Sequence, residues 1–119
     1  MENFYFLDLP LKYLVLSKGY INNNPKYIIS TYESIKKQGL NKPLVVRDYR
    51  INKYEILLGG SRYLALIKLK KKTAPCILIT TKKLNNKYKI KSYQELLKIT
   101  KTKKFIYKNE GQHGLLRHN

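Results

Sequence analysis

Residues 54–69 read YEILLGGSRYLALIKL: an apolar run breaks at Gly59 and Gly60, and Ser61 and Arg62 open a second apolar run. A strand that turns through glycine into a helix is one way to build an anion site. The N–H groups of a first helical turn have no acceptor within the helix, and the helix dipole places roughly half a positive charge there. Glycine permits the sharp bend and lets a phosphate come close to the backbone. Arg62 sharpens the reading, because a cation in a first turn opposes the dipole by about 0.3–1 kcal/mol unless an anion lies near. Its planar fork also matches phosphate oxygens. Ser61 is expected to cap the helix and to offer a hydroxyl donor. The competing reading is a plain tight turn with Arg62 paired to Glu55 or Asp48. Gly-Gly-Ser-Arg is neither a Walker A loop nor a GxGxxG fingerprint, so spacing alone leaves both open.

Other reactive residues are few. Cys76 is the single cysteine, which excludes an internal disulfide and a CxxC zinc site; within an apolar segment it reads as a core thiol. His113 and His118 stand five apart in a lysine-rich C-terminal stretch, with Glu110 as their nearest acidic neighbour. The acidic residues Asp8, Asp48, Glu55 and Glu110 are scattered, without the paired spacing of a metal-dependent nuclease. No metal site is expected.

Charge is the dominant property of the composition. Lys and Arg number 25 against 7 Asp and Glu, a formal net charge of +18 over 119 residues. That excess points to a polyanionic partner, with DNA of any sequence as the expected one and binding weakened by salt. Lys68, Lys70, Lys71, Lys72, Lys82, Lys83, Lys101, Lys103 and Lys104 are the expected nucleic-acid contacts. Only four of the basic residues are arginine, and Asn and Ile abound, as A/T-rich coding also produces; a phage or plasmid origin fits that bias. Basic-aromatic stretches such as KLNNKYKIKSY have the composition that stacks single-stranded bases. No apolar run approaches the ~18 residues of a membrane helix, and the N-terminus lacks a signal-peptide layout. A cytoplasmic protein, encoded by a cell or a virus, is expected.

The elements that must hold the glycine turn follow from periodicity. Residues 4–9 read as a strand ending at Pro10, and residues 11–24 are ambiguous between strand and turn. Asn24 as cap, Pro25 in the first turn and Gly39 past the end frame a helix whose apolar face is Ile28, Tyr32 and Ile35. Residues 42–58 predict a hairpin turning at YRIN, followed by the glycines and a mostly buried helix over 62–70. APCILIT is a buried strand. Ser92 and Glu95 form a capping box before a short amphipathic helix. The size allows one domain over residues 1–100, with a basic tail over 101–119.

The order NPKYIISTYESIKKQGLNKPLVVRD, then KYEILLGGSRYLALIKLKKKTAPCILI, resembles the ParB/sulfiredoxin superfamily. The matching residues are Asn24, Pro25, Ser34, Ile35, Gly39, Pro43 to Val46, Tyr54, Ile56, Gly59, Arg62, Ala65, Pro75 and Cys76, within a likeness covering about residues 5–80. The resemblance implies an α/β (α+β) fold, a small mixed sheet flanked by helices. In that family the G-x-x-R turn binds nucleotide phosphates: CTP in chromosome-partitioning proteins, ATP in sulfiredoxin, ADP in a free-serine kinase. By resemblance Gly59, Gly60, Ser61 and Arg62 hold phosphate, Asn24, Pro25 and Lys26 lie near the nucleotide, and Mg2+ is an optional companion.

The departures narrow the chemistry. Sulfiredoxin carries its reactive cysteine where this chain has Gly60. The partitioning CTPases have G-E-R-R where this chain has G-G-S-R, which puts CTP hydrolysis in doubt. About 40 residues follow the matching segment, too few for the family's helix-turn-helix and dimerisation domains. The expected function is therefore a nucleotide-phosphate-binding, DNA-associated module. A phosphotransferase or nuclease on the same pocket, and a structural protein that keeps only the fold, are the alternatives.

Overall fold

The computed structural model describes residues 2–18, 25–40 and 42–101. Its strands are β1 (Asn3–Pro10), β2 (Leu14–Leu16), β3 (Leu44–Arg50), β4 (Lys53–Leu58) and β5 (Thr73–Thr80). Its helices are α1 (Pro25–Gln38), α2 (Gly60–Lys68) and α3 (Tyr93–Lys101). The strands make one sheet in the order β1-β5-β3-β4-β2. β1 with β5 and β3 with β4 are antiparallel, while β3 with β5 and β2 with β4 are parallel. This is the expected α/β (α+β) arrangement of a mixed sheet with helices.

Alternation sets the buried side of the edge strand β1, where Tyr5, Leu7 and Leu9 point into the core. β5 is central and has neighbours on both sides, so Ala74, Cys76, Ile77 and Leu78 are all buried. α2 lays Ala65 and Leu66 on the sheet, and α1 adds Ile35 with Tyr32 packed beside it. A parallel β3–β5 pair needs a crossover, and β4 with α2 supplies it. The glycine turn is thus built into the connection that the sheet cannot do without.

The ambiguous segment after Pro10 becomes a single 3-10 turn over Leu11–Tyr13 and the short strand β2. β2 pairs with β4 by Leu14 opposite Tyr54 and Leu16 opposite Ile56. Five flat strands would put the β1 and β2 edges about 19 Å apart at ~4.8 Å per step. The four residues from Pro10 to Leu14 reach at most about 14 Å. The sheet is therefore curled, with its two edges drawn together on the side that carries the turn. The Leu11 N–H donates to the Lys72 carbonyl at 2.8 Å and pins this crossing.

The hairpin turns later than expected, at Ile51 and Asn52, with β3 running on to Arg50. Asn52 takes φ +57°, a value asparagine tolerates better than most residues. Gly39 ends α1 at φ +79°, and its N–H donates to Ile35 at 2.9 Å. The expected Asn24 cap lies outside the described residues. The serine half of the capping box forms, the Glu95 N–H donating to Ser92 Oγ at 3.1 Å, while Glu95 accepts the Lys91 N–H at 3.2 Å, one residue before the cap.

α2 closes with a full Schellman motif, the Lys70 N–H on Ile67 and the Lys71 N–H on Leu66. The left-handed residue of that motif is Lys70 at φ +59°, where glycine is usual. Lys70→Gly is expected to raise stability by about 0.5–1 kcal/mol, since the backbone strain relieved exceeds the entropy glycine adds to the unfolded chain. Urea denaturation compared with the wild type measures it; a loss of stability would mean the lysine side chain contributes more than its backbone costs.

Candidate functional site

The site begins with one backbone angle. β4 ends at Leu58, and Gly59 turns the chain with φ +107°, ψ +21° before α2 starts at Gly60. A Cβ built on Gly59 would sit 2.5 Å from Leu44 Cδ2 and 3.2–3.3 Å from the Arg62 guanidinium. Both the angle and the space therefore require glycine. The Gly59 carbonyl accepts the Tyr63 N–H at 2.9 Å, closing the first turn of α2. That turn opens on a cleft of about 280 Å³, walled by residues 56–62, by Leu16 at the end of β2 and by Ser17 just past it.

Arg62 folds back over the bend. Its Nη1 donates to the Pro43 carbonyl at 2.8 Å, which fixes the guanidinium beside Gly59. The carboxylates that would compete for it are engaged elsewhere. Glu55 faces Arg47 across the β3–β4 ladder at 3.2 Å, and Asp48 accepts from Thr80 Oγ1 at 2.5 Å with Lys82 Nζ at 3.8 Å. The Pro43 carbonyl thus sets where the guanidinium sits, and the cation lies in the first turn of α2, where the dipole would favour an anion. The arrangement of glycine bend, first-turn amides and guanidinium is able to bind a phosphate group.

Ser61 does not cap the helix. α2 starts two residues earlier than expected, Gly59 occupies the cap position, and no side chain caps it. Ser61 instead stands in the first turn, half-buried, on the wall of the cleft. Lys26 is exposed in the first turn of α1, and Pro25 begins that helix; Asn24 lies outside the described residues. Leu16, Ser17 and the Pro43 carbonyl were not singled out from sequence. No local signal marks them, because strand pairing and helix docking bring them to the cleft.

Among the described residues the expected lysines fall into separate groups. Lys68, Lys70, Lys71 and Lys72 cluster at the C-terminal end of α2, before β5. Here the structure adds Lys36 and Lys37, which with Lys71 line a shallow groove between α1 and α2. Lys68 and Lys36 lie 5.1 and 5.8 Å from the centre of the Tyr32 ring, within cation–π range. Lys82 and Lys83 follow β5, an eight-residue strand about 26 Å long that stands between them and Lys72. Lys101 ends α3, while Lys103 and Lys104 lie outside the described residues.

Cys76 is wholly buried, and burial, with Asp8 adding to it, pushes its thiol well above the ordinary value. Such a thiol stays protonated and is a poor nucleophile, consistent with a core role. Burial also raises Tyr63, whose hydroxyl donates to the Leu14 carbonyl at 3.3 Å and ties β2 to α2. Among the described residues no three His, Cys, Asp or Glu side chains gather as metal ligands. His113 and His118 lie outside them. No helix among the described residues is long and apolar enough to cross a membrane.

The ParB N-terminal domain model matches residues 23–93, more than half of the chain and all of the cleft from β4 and α2. The chain belongs to the ParB N-terminal domain family. No curated protein sequence matches it. Among solved structures, the C-terminally truncated chromosome-partitioning protein ParB of Caulobacter crescentus complexed with CTP-γ-S is similar at 20% identity and TM-score 0.56, over 70% of this chain and 47% of that one. A free serine kinase in complex with AMP is similar at 22% identity and TM-score 0.54, over 62% of this chain and 30% of that one. Sulfiredoxin of Arabidopsis thaliana is similar at 26% identity and TM-score 0.52, over 61% of this chain and 82% of that one. This chain thus spans less than half of the kinase and of the partitioning protein.

Gly59→Ala tests the bend directly. The forced positive φ and the contact with Leu44 are expected to cost about 1–3 kcal/mol in urea denaturation. A neutral result would show that the turn relaxes freely and that the glycine is no steric requirement.

Proposed function

We propose that the chain is a nucleotide-phosphate-binding and DNA-associated module, with the phosphates held between the Gly59–Ser61 backbone and Arg62. The observation that carries this is the left-handed, side-chain-free bend at Gly59, with the Arg62 guanidinium fixed over it by Pro43. Phosphate oxygens take hydrogen bonds from first-turn N–H groups and from a guanidinium fork, and the dipole adds to both. Asn24, Pro25 and Lys26 would lie beside the same nucleotide, as the family resemblance implies. CTP, ATP and ADP are the candidate ligands; the similar ParB structure holds CTP-γ-S, and free serine kinase structures hold AMP or ADP. Mg2+ would arrive on the phosphates.

DNA association rests on the net charge of +18 and on the lysines at the end of α2. Lys70 keeps a long cation at a backbone angle where glycine costs less. Lys36 and Lys37, beside Lys71, extend the same cationic end. Contacts of this kind go to phosphates and carry no base specificity.

Thermal shift with CTP, ATP and ADP, each with and without Mg2+, tests the nucleotide half. A ligand at about 100 times its Kd adds roughly 2.7 kcal/mol of stability, a rise of several degrees in Tm. Arg62→Ala, compared with its own unliganded Tm, is expected to weaken binding by about 10–100-fold, from the loss of a charged hydrogen bond. No shift with any of the three at millimolar concentration would overturn nucleotide binding. Release of inorganic phosphate by the wild type would move the assignment to the enzyme alternative.

Fluorescence anisotropy with labelled duplexes of unrelated sequence tests the DNA half. Similar affinity for all of them is expected, falling roughly 100-fold between 50 and 200 mM salt if about four phosphates are neutralised. Equal affinity at both salt concentrations would show that the lysines neutralise no phosphates.

A further inference from the structure

The curl of the sheet creates a second concavity, remote from the glycine turn. Its floor is apolar, made by Leu7 and Leu9 of β1 and Leu78 of β5, and Leu84 closes one side. Tyr13 from the crossing and Tyr54 from β4 contribute aromatic walls, with Asn52 of the hairpin turn and Lys82 at the rim. Its volume is about 380 Å³, within the range of small-ligand pockets. Tyr54 and Leu58 are four strand residues apart, so about 13 Å separates this pocket from the phosphate turn along β4.

The wall around Leu84 is tied down. The hydroxyl of buried Tyr5 accepts the Leu84 N–H at 2.9 Å and donates to the Lys82 carbonyl at 3.5 Å. The Lys82 N–H donates to Thr80 Oγ1 at 3.0 Å, and that hydroxyl donates to Asp48. The pocket is thus largely formed before any ligand arrives, which lowers the entropic cost of binding.

Lys82 lines this apolar space, and Lys12, Lys53 and Lys83 stand on segments next to its lining residues. Lys82 lies 3.8 Å from Asp48 and 5.8 Å from the centre of the Tyr54 ring. Lys12 lies 5.3 Å from the Tyr13 ring, and Lys53 Nζ donates to the Lys12 carbonyl at 3.1 Å. Lys83 is exposed next to Lys82. Aromatic walls, an apolar floor and a lysine rim suit a flat aromatic group attached to an anion. A purely aliphatic ligand would leave the cations unused, and a bare phosphate would leave the pocket unfilled.

We propose that this pocket receives one unstacked base of a single-stranded nucleic acid, its ring against Tyr13 and Tyr54 and its flanking phosphates on Lys12, Lys53, Lys82 and Lys83. Aromatic stacking and lysine contacts to the backbone are the general means of holding single strands with little sequence preference. The proposal deepens the DNA-associated reading and rests on it. It is independent of nucleotide binding at Gly59–Arg62.

Two measurements on the wild-type full chain test it. A single-stranded thymidine oligonucleotide is compared by anisotropy with a strand of equal length and charge that lacks bases. The base-bearing strand is expected to bind about ten-fold more tightly, since one stacked base contributes roughly 1–3 kcal/mol. The same oligonucleotide carrying one 5-iodouracil is then photo-crosslinked and the adduct mapped by peptide mass spectrometry, with Tyr13 or Tyr54 the expected site. Equal binding of the two strands, or adducts confined to other residues, would overturn the pocket and leave DNA association standing. Binding of neither strand would overturn the pocket, and the duplex measurement would then decide DNA association separately.

Discussion

The Arg62 guanidinium, held over Gly59 by the Pro43 carbonyl, is the contact that joins fold to site. It links the start of β3 to the first turn of α2, two segments 19 residues apart in sequence. The bend beneath it calls for glycine, because Leu44 Cδ2 and the guanidinium fill the space a side chain would need. Packing, backbone angle and charge placement are thereby one constraint: altering any of them moves the first-turn amides. The Pro43 carbonyl sets the position of a cation at the end of the helix whose dipole favours anions.

The sheet order makes that constraint structural as well as chemical. β3 and β5 are parallel neighbours, so the chain between them must leave the sheet and return, and it does so through β4, the glycine turn and α2. The apolar face of α2 covers the centre of the sheet with Ala65 and Leu66 while its N-terminus stays at the cleft. A helix seated by its own burial holds its first turn rigidly, which is what a preorganised anion site requires. The family relationship across residues 23–93 covers this unit.

The curled sheet also divides the charge. The C-terminal ends of α1 and α2 carry one group of lysines, and the segments around Tyr13, the hairpin and Lys82 carry another, the two meeting where Leu11 bonds the Lys72 carbonyl. A single strongly basic composition thus yields two surfaces of different character. One is a helix-end ridge of lysines with Tyr32 set among them. The other is a lysine rim around an apolar, aromatic hollow.

Local signals determined a good deal: α1 with Gly39 at its end, the β3–β4 pair, the buried strand β5 and the Ser92–Glu95 box were all readable, because each rests on residues within a few positions of one another. The glycine turn with Arg62 beside it was legible for the same reason. Ser61 was misread as the cap because Gly59 takes that position in a left-handed conformation with Leu44 and Arg62 packed against it, and sequence spacing does not encode that contact. β2 stayed ambiguous since its pairing partner, β4, lies about forty residues away. The cleft wall at Leu16 and Ser17, the acceptor at Pro43 and the Tyr13–Tyr54 hollow belong to tertiary structure alone. They arise where distant segments meet, and those meetings are set by strand order and sheet curl, which no local pattern of residues specifies.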